Sequence, residues 1–489
     1  MAIDLRSSAP EVRERRLGAI LSYHGTAADL NEKSKTKALP CKGRRFGQCS
    51  GCQEGCASSM LGFIPGGALI YHSPIGCVSG GDTIRSIAGT AVSKARGRED
   101  FQCVAICSNI QEKDTVYGGL EKLKTAIREA YKRGNANLIY VSTSCASGII
   151  GDDIESVCME MEDELGVTVA PVYCEGFKSR FWASGFDATQ HAILKYVVKP
   201  PEKKQKDLVN VFNFEGADTF SPLLGKLGLR VQYLIPLANK EELEKMSEAA
   251  CSVQICETLA TYVSHGLEQE YGVPEVKAPA PYGINWTDEW LREVARLTDK
   301  TDVVEEVIRA EHERIAPQIA ELKKQLEGKT LYVVAGDAYA HNLLNLTKDL
   351  GVKLIGATTL HHDQKADSDE IDSLGNLVNS INDLSNFNVC NKQPYEVLKI
   401  LRNLKPDLLI VRHQGLGELG TKLGIPVIFE GDANYSIGYD GVVRMGKRLL
   451  EAVKTRKFYE TVGRHTKLPY TNWWLNEETD PYYFEKGGK

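Results

Sequence analysis

Long apolar runs are missing from this sequence. No stretch of the 489 residues stays hydrophobic for the roughly 20 positions a bilayer-spanning helix needs, so a helical membrane protein is excluded. The opening MAIDLRSSAPEVRERR lacks the apolar core of a secretory leader, and the expected compartment is the cytoplasm. Positive charge is not in excess. A net charge of −6 disfavours nucleic acid or an anionic membrane surface as the main partner. Short-period repeats and low-complexity segments are also absent. No G-x-x-x-x-G-K followed by Ser or Thr occurs, so no P-loop nucleotide site is expected.

What is present reads as an α/β protein. A hydrophobic content of 42% with 25% charged residues is that of an ordinary globular chain, too long for a single core. Residues 1–40 are charged, with helical stretches and no strand alternation, and form an expected N-terminal arm. From about residue 68, ALIYHS, FQCVAIC, LIYVSTS and VTVAPVYC alternate with amphipathic stretches such as LEKLKTAIREAYKRG. The linker VKPPEKKQKD (198–207) ends this block. The rhythm restarts with DLVNVFNF and LRVQYLIP, and again with TLYVVAG, VKLIGA, PDLLIV and IPVIFEG. A charged helical region, about 287–327, separates the last two blocks. The expectation is three doubly wound, parallel-sheet domains over 41–200, 207–328 and 329–470, with a C-terminal tail over 471–489. Ligands belong outside the carboxyl ends of their strands.

The 13 cysteines are many for a reducing compartment, where disulfides are a poor explanation and metal or redox chemistry a better one. Cys103, Cys107, Cys158 and Cys390 lie in apolar or helical contexts and read as packing residues. Cys52, Cys77 and Cys145 differ. They stand in Gly- and Ser-rich stretches, CSGCQEGC, YHSPIGCVSGG and YVSTSCASGIIGDD, where backbone amides can approach cluster sulfides. Cys49-x2-Cys52 would also suit zinc, but no second pair follows at zinc-ribbon spacing.

HSPIGC (72–77), NIQEKDTVYGG (109–119), STSCASGIIGDDIESV (142–157) and CEGF (174–177) together resemble the nitrogenase component-1 α-type subunits. EYGVP (270–274), KPDLLI (405–410), GIPVIFEG (424–431) and YDG (439–441) continue the resemblance in order over roughly residues 45–450. It implies three Rossmann-like α/β domains and an eight-iron, seven-sulfur P-cluster shared with a β-type subunit, for which Cys52, Cys77 and Cys145 occupy the ligand positions. Cys49 and Cys56 are extra thiols beside them, read as inert or supporting. The active-site iron–sulfur–carbide cofactor of the family hangs from one helix cysteine, which falls on Cys256, with Cys251 as the competitor. Arg85 matches an arginine beside that cofactor, where a cation suits an electron-rich cluster. The implied assembly is an α2β2 heterotetramer served by an ATP-dependent iron protein.

The sequence also leaves the family pattern. Where dinitrogen-reducing members place Gln and His facing the reactive irons, Trp182 and Phe186 stand, with His191 as a nearby substitute proton donor. Gly431 replaces the distal His ligand. Glu430, Asp432 and Asn434, or His341, His361, His362 and His413, are the alternatives, and His413 at the end of PDLLIVR is preferred. Ala338 stands where an arginine is expected, which puts molybdenum and homocitrate in doubt and favours an all-iron cofactor. The resemblance then implies a catalytic subunit acting on a small apolar substrate, most like the methylthio-alkane reductases, which cleave C–S bonds of small thioethers. A divergent dinitrogenase and a cofactor-assembly scaffold are the alternatives.

Overall fold

A computed structural model describes residues 2–41, 51–78, 89–97, 103–214, 218–390, 394–412, 414–431 and 435–476. The chain divides into two compact units. One comprises residues 1–16, 51–255 and 259–276, the other residues 17–50, 256–258 and 277–489. Strand β1 (Ser22–Gly25) comes from the N-terminal arm. β2 (Gly67–His72), β3 (Val104–Cys107), β4 (Leu138–Thr143) and β5 (Thr168–Val172) follow. Next come β6 (Gln205–Phe212), β7 (Arg230–Leu234) and β8 (Ala249–Gln254). The last are β9 (Thr330–Ala335), β10 (Lys353–Thr359), β11 (Phe387–Cys390), β12 (Leu408–Val411) and β13 (Val427–Phe429).

The first unit holds two parallel sheets, ordered β3-β2-β4-β5 and β7-β6-β8. Every residue of β2 and β4 is buried, as expected for central parallel strands covered on both faces. Helix Leu120–Gly134 places Leu123, Ala126, Ile127 and Ala130 at three- and four-residue spacing. Together with Val157 and Met161 of helix Ile154–Leu165, they pack on Ala68, Ile70, Ile139 and Val141. Each fully buried Leu or Ile contributes about 1.5–3 kcal/mol.

The second unit is built on the sheet β1-β11-β10-β9-β12-β13, parallel throughout except for β1 against β11. Tyr332, Val334, Leu409 and Val411 form its core with Val397, Leu398, Leu401 and Leu416. The charged region resolves into helices Ile284–Leu297 and Val304–Leu326.

In its strands the structure differs from the sequence reading in the arm and at Cys251. The arm, expected to hold no strand, supplies β1, whose Ser22 lies opposite Cys390; four residues are too few to show alternation. Cys251, named as the competitor to the helix cysteine, lies in β8, because a short run buried on both faces has no period to distinguish it from a helix. Among the described residues no helix is long and apolar enough to cross a membrane.

A buried ion trio holds the arm to the first unit. Asp187 accepts from Arg13 Nε and Nη2 at 2.8 and 2.7 Å and from Arg16 Nη2 at 2.5 Å. Asp187 and Arg13 are each only 1% exposed. The helix of Asp187, Ser184–Tyr196, packs closely on helix Gln53–Leu61: a Cβ on Gly185 would come within 2.3 Å of Gln53 O and 2.7 Å of Cys56 Cβ. Removing one member of such a trio strands buried charge. Asp187→Ala is expected to cost about 3–5 kcal/mol of unfolding free energy in urea titration.

Candidate functional site

Three loops at the carboxyl ends of the strands of the β3-β2-β4-β5 sheet carry the thiol site. Cys77 closes the turn Ile75–Cys77 after β2, and Cys145 opens helix Cys145–Ile150 after β4. Cys52 directly precedes helix Gln53–Leu61. The turn after β5 contributes Gly176 and, two residues before it, the buried Cys174, whose thiol is raised first by burial and then by Glu54, Glu175 and Cys52. A Cβ on Gly176 would sit 2.9 Å from Cys52 Cβ, 3.3 Å from Cys52 Sγ and 3.4 Å from Cys145 Sγ, so the absence of a side chain is what lets the two thiols share this space. Cys77 belongs to the same group. Its thiol is pushed up to about 11, first by partial burial and then by Glu54 and the thiols of Cys52, Cys145 and Cys107.

Hydrogen bonds fix these loops to one another. Ser144 caps the helix that Cys145 opens, and its Oγ donates to His72 O at 2.9 Å, joining the β4 loop to β2. The His72 ring bonds Asp152 through Nε2 and Ser108 through Nδ1, both at 2.9 Å. Cys107, expected as a packing residue, instead lies half-buried at the end of β3. Its Sγ accepts from Asn109 N at 3.3 Å and lies 3.2 Å from Ser73 O. A cysteine that ends a strand beside a loop was the available signal. Cys103 is half-buried as well, Cys158 and Cys390 are buried, and Cys56 is buried against Gly185. Cys49 and Arg85 lie outside the described residues.

Trp182 and Phe186 stack edge to face at 5.1 Å, and Phe186 meets Phe214 at 5.9 Å, so the segment after CEGF is an aromatic wall. His191 does not join it. Its Nδ1 is 2.8 Å from Tyr262 Oη and its Nε2 3.0 Å from Ser7 O, and burial pushes it down to about 4. Both ring nitrogens are engaged, so His191 holds the fold rather than a substrate proton.

Cys256 is buried in the turn directly ahead of helix Glu257–Tyr271, not within a helix as expected, and Cys251 pairs with Val209 inside the sheet. In the second unit the charge of Cys256 reaches Tyr282. The hydroxyl of Tyr282 is held well above its usual range by burial and then by Tyr339, Cys256, Tyr435 and Glu430. Tyr282, Tyr339 and Tyr435 stack edge to face at 5.6 and 6.0 Å, and the Arg412 guanidinium lies over Tyr339 at 5.2 Å and Tyr435 at 5.7 Å. The sequence reading passed over Arg412 for its neighbour His413, which lies outside the described residues, as do Asp432 and Asn434. A basic residue ending PDLLIV was the available signal.

At Gly431, where the family pattern has a histidine, a Cβ would come within 2.5 Å of the ring of Phe429, a partly exposed side chain that would have to turn aside. Glu430 is engaged by Arg448 and by Ser436 N. Ala338 donates its N–H to Thr258 Oγ1 at 3.2 Å. His341 and His362 converge on Asp337, and burial pushes His341 down to about 4.

A family model described as Nitrogenase component 1 type Oxidoreductase matches residues 52–454. The chain is 32% identical to the nitrogenase molybdenum-iron protein alpha chain of Methanosarcina barkeri over 320 residues, 62% of this chain and 59% of that one. It is 29% identical to the nitrogenase iron-molybdenum cofactor biosynthesis protein NifE of Methanococcus maripaludis over 424 residues, 83% of each chain. The solved structure of nitrogenase Cp1 at pH 5 superposes with a TM-score of 0.70 at 22% identity, covering 91% of this chain and all of the other. That likeness establishes the fold.

Gly176→Ala is the direct test of the thiol cradle. The added methyl is expected to displace Cys52 and lower the metal retained by the anaerobically purified chain, with circular dichroism unchanged. Equal metal content would remove Gly176 from the site.

Proposed function

The chain belongs to the nitrogenase component 1 type oxidoreductases, and on that footing we propose that it is the catalytic α-type subunit of a nitrogenase-like reductase that cleaves C–S bonds of small thioethers. The meeting of Cys52 and Cys145 at the bare Cα of Gly176, with the Cys77 thiol in electrostatic reach of both, carries the reading. Thiols from several strand-end loops, with space left between them, fit an iron–sulfur cluster of P-cluster type. Ile75, Val116, Tyr117, Ile149 and Phe177 are each more than half exposed on these same loops and neighbouring turns, as suits a β-type subunit that completes the cluster in an α2β2 assembly.

In this reading Cys256 anchors an all-iron nitrogenase-type cofactor, and the clusters supply low-potential electrons delivered by an ATP-dependent iron protein. Arg412 offsets negative charge above Tyr339 and Tyr435. Trp182 and Phe186 keep water from an apolar substrate and offer no competing proton donor, so His191 has no part in the chemistry. Dimethyl sulfide with two electrons and two protons gives methane and methanethiol, the C–S bond breaking and a C–H and an S–H bond forming.

The same departures also favour a second reading, a cofactor-assembly scaffold. NifE relatives match over more than four-fifths of the chain, and Gly431 leaves no histidine at the distal ligand position.

Anaerobic turnover with the β-type partner, the iron protein and ATP separates these readings. Methane and methanethiol from dimethyl sulfide, without ammonium under dinitrogen, are expected; ammonium would mark a dinitrogenase. An inactive protein loaded with cluster would mark the scaffold. Cys145→Ala should lose the interfacial cluster, whereas Cys256→Ala should abolish turnover and leave that cluster intact. Full activity in Cys256→Ala would remove the assignment.

A further inference from the structure

The second unit brings three other ligand-type side chains to one point. Asp337 and His341 stand one turn apart on helix Asp337–Lys348, which follows β9, and His362 follows β10. Asp337 Oδ1 lies 2.9 Å from His362 Nδ1 and 3.7 Å from His341 Nε2, and the three ligand atoms all fall within 4.8 Å of one another. None of the three residues is more than 5% exposed.

Hydrogen bonds hold each side chain from outside the cluster. Ser34 Oγ bonds Leu30 O at 2.7 Å and His362 Nε2 at 2.8 Å. His362 Nδ1 then faces Asp337 Oδ1 at 2.9 Å, a pairing that a ring proton or a metal ion satisfies. Asp337 Oδ2 is occupied by the N–H of Asp363 at 2.9 Å, which leaves Oδ1 aimed inward. His341 Nδ1 bonds Ser373 Oγ at 2.7 Å, while its buried Nε2 has no hydrogen-bond partner among the described residues.

A proton on His362 would satisfy Asp337 but leave His341 Nε2 bare, at the cost of an unmade buried hydrogen bond. A metal ion would engage all three atoms. We propose that Asp337, His341 and His362 hold a single divalent ion of zinc type, with the fourth coordination position open. Donor atoms on a tetrahedral zinc stand roughly 3.3 Å apart, and the spacings here bracket that value. Two imidazoles and one carboxylate suit such an ion, and the Ser34 and Ser373 hydroxyls orient the rings as outer partners of metal-bound histidines do. The ligand set contains no thiol, although Ala338, next to Asp337, donates its N–H to Thr258 Oγ1 at 3.2 Å and so puts the site beside the turn that carries Cys256.

The test compares full-length protein with the His341→Gln variant, both purified anaerobically and equilibrated with zinc. Zinc on cysteines is common to both, so their difference isolates this site. The wild type is expected to hold one more zinc per chain, and cobalt in its place to give a difference spectrum without thiolate charge transfer. Ser34→Ala removes no ligand and guards against misfolding of the first variant; it should weaken zinc binding about 10–100-fold. Equal zinc in wild type and a folded His341→Gln, or unchanged affinity in Ser34→Ala, would overturn the proposal and leave a protonated His362 paired with Asp337.

Discussion

A parallel strand covered on both faces has no side for chemistry, only ends, and this constraint organises the molecule. β2 and β4 are buried along their whole length, so the residues that can meet a ligand are those just beyond His72 and Thr143. Cys77 and Cys145 stand there, and Gly176 stands beyond β5. The second unit obeys the same rule, with Asp337 after β9, His362 after β10 and Arg412 after β12. Two centres of different chemistry thus arise from one topological rule, thiols in one sheet and imidazoles with a carboxylate in another.

Close packing converts this topology into a defined arrangement. Gly185 lets helix Ser184–Tyr196 press against the helix that Cys52 precedes, and the buried Arg13–Asp187–Arg16 trio holds the same helix from its other side. Gly176 then leaves the space in which Cys52 and Cys145 meet. Charge arrives in the same way. Burial, Glu54 and the neighbouring thiols raise the Cys77 thiol, and a bound cation would favour its thiolate.

Much of this was legible in the chain. The alternating blocks gave the parallel strands because their runs are apolar and bounded by turns, and the thiol loops stood out as cysteines among glycines. What the sequence did not show has physical reasons. β8 is a short run buried on both faces, and β1 is only four residues long, so neither has a readable period. Cys256 was expected on a helix because the strand that ends just before it was hidden. His191 looked available because a sequence does not reveal that Tyr262 and Ser7 occupy both of its nitrogens. The convergence of Asp337, His341 and His362 joins two strand ends, and no local spacing displays it.

The interleaving of the two units sets a schedule for biosynthesis. Arg13 leaves the ribosome early, but its carboxylate partner is Asp187, and Ile3 exchanges hydrogen bonds with Gln269 at 2.8 Å in each direction. β1 waits longer still, for β11 about 360 residues downstream. At roughly 5–20 residues per second, that strand stays unpaired for on the order of tens of seconds. β1 must therefore be kept from other unpaired strand edges until β11 emerges, and the six-stranded sheet can close only after β13 has been made.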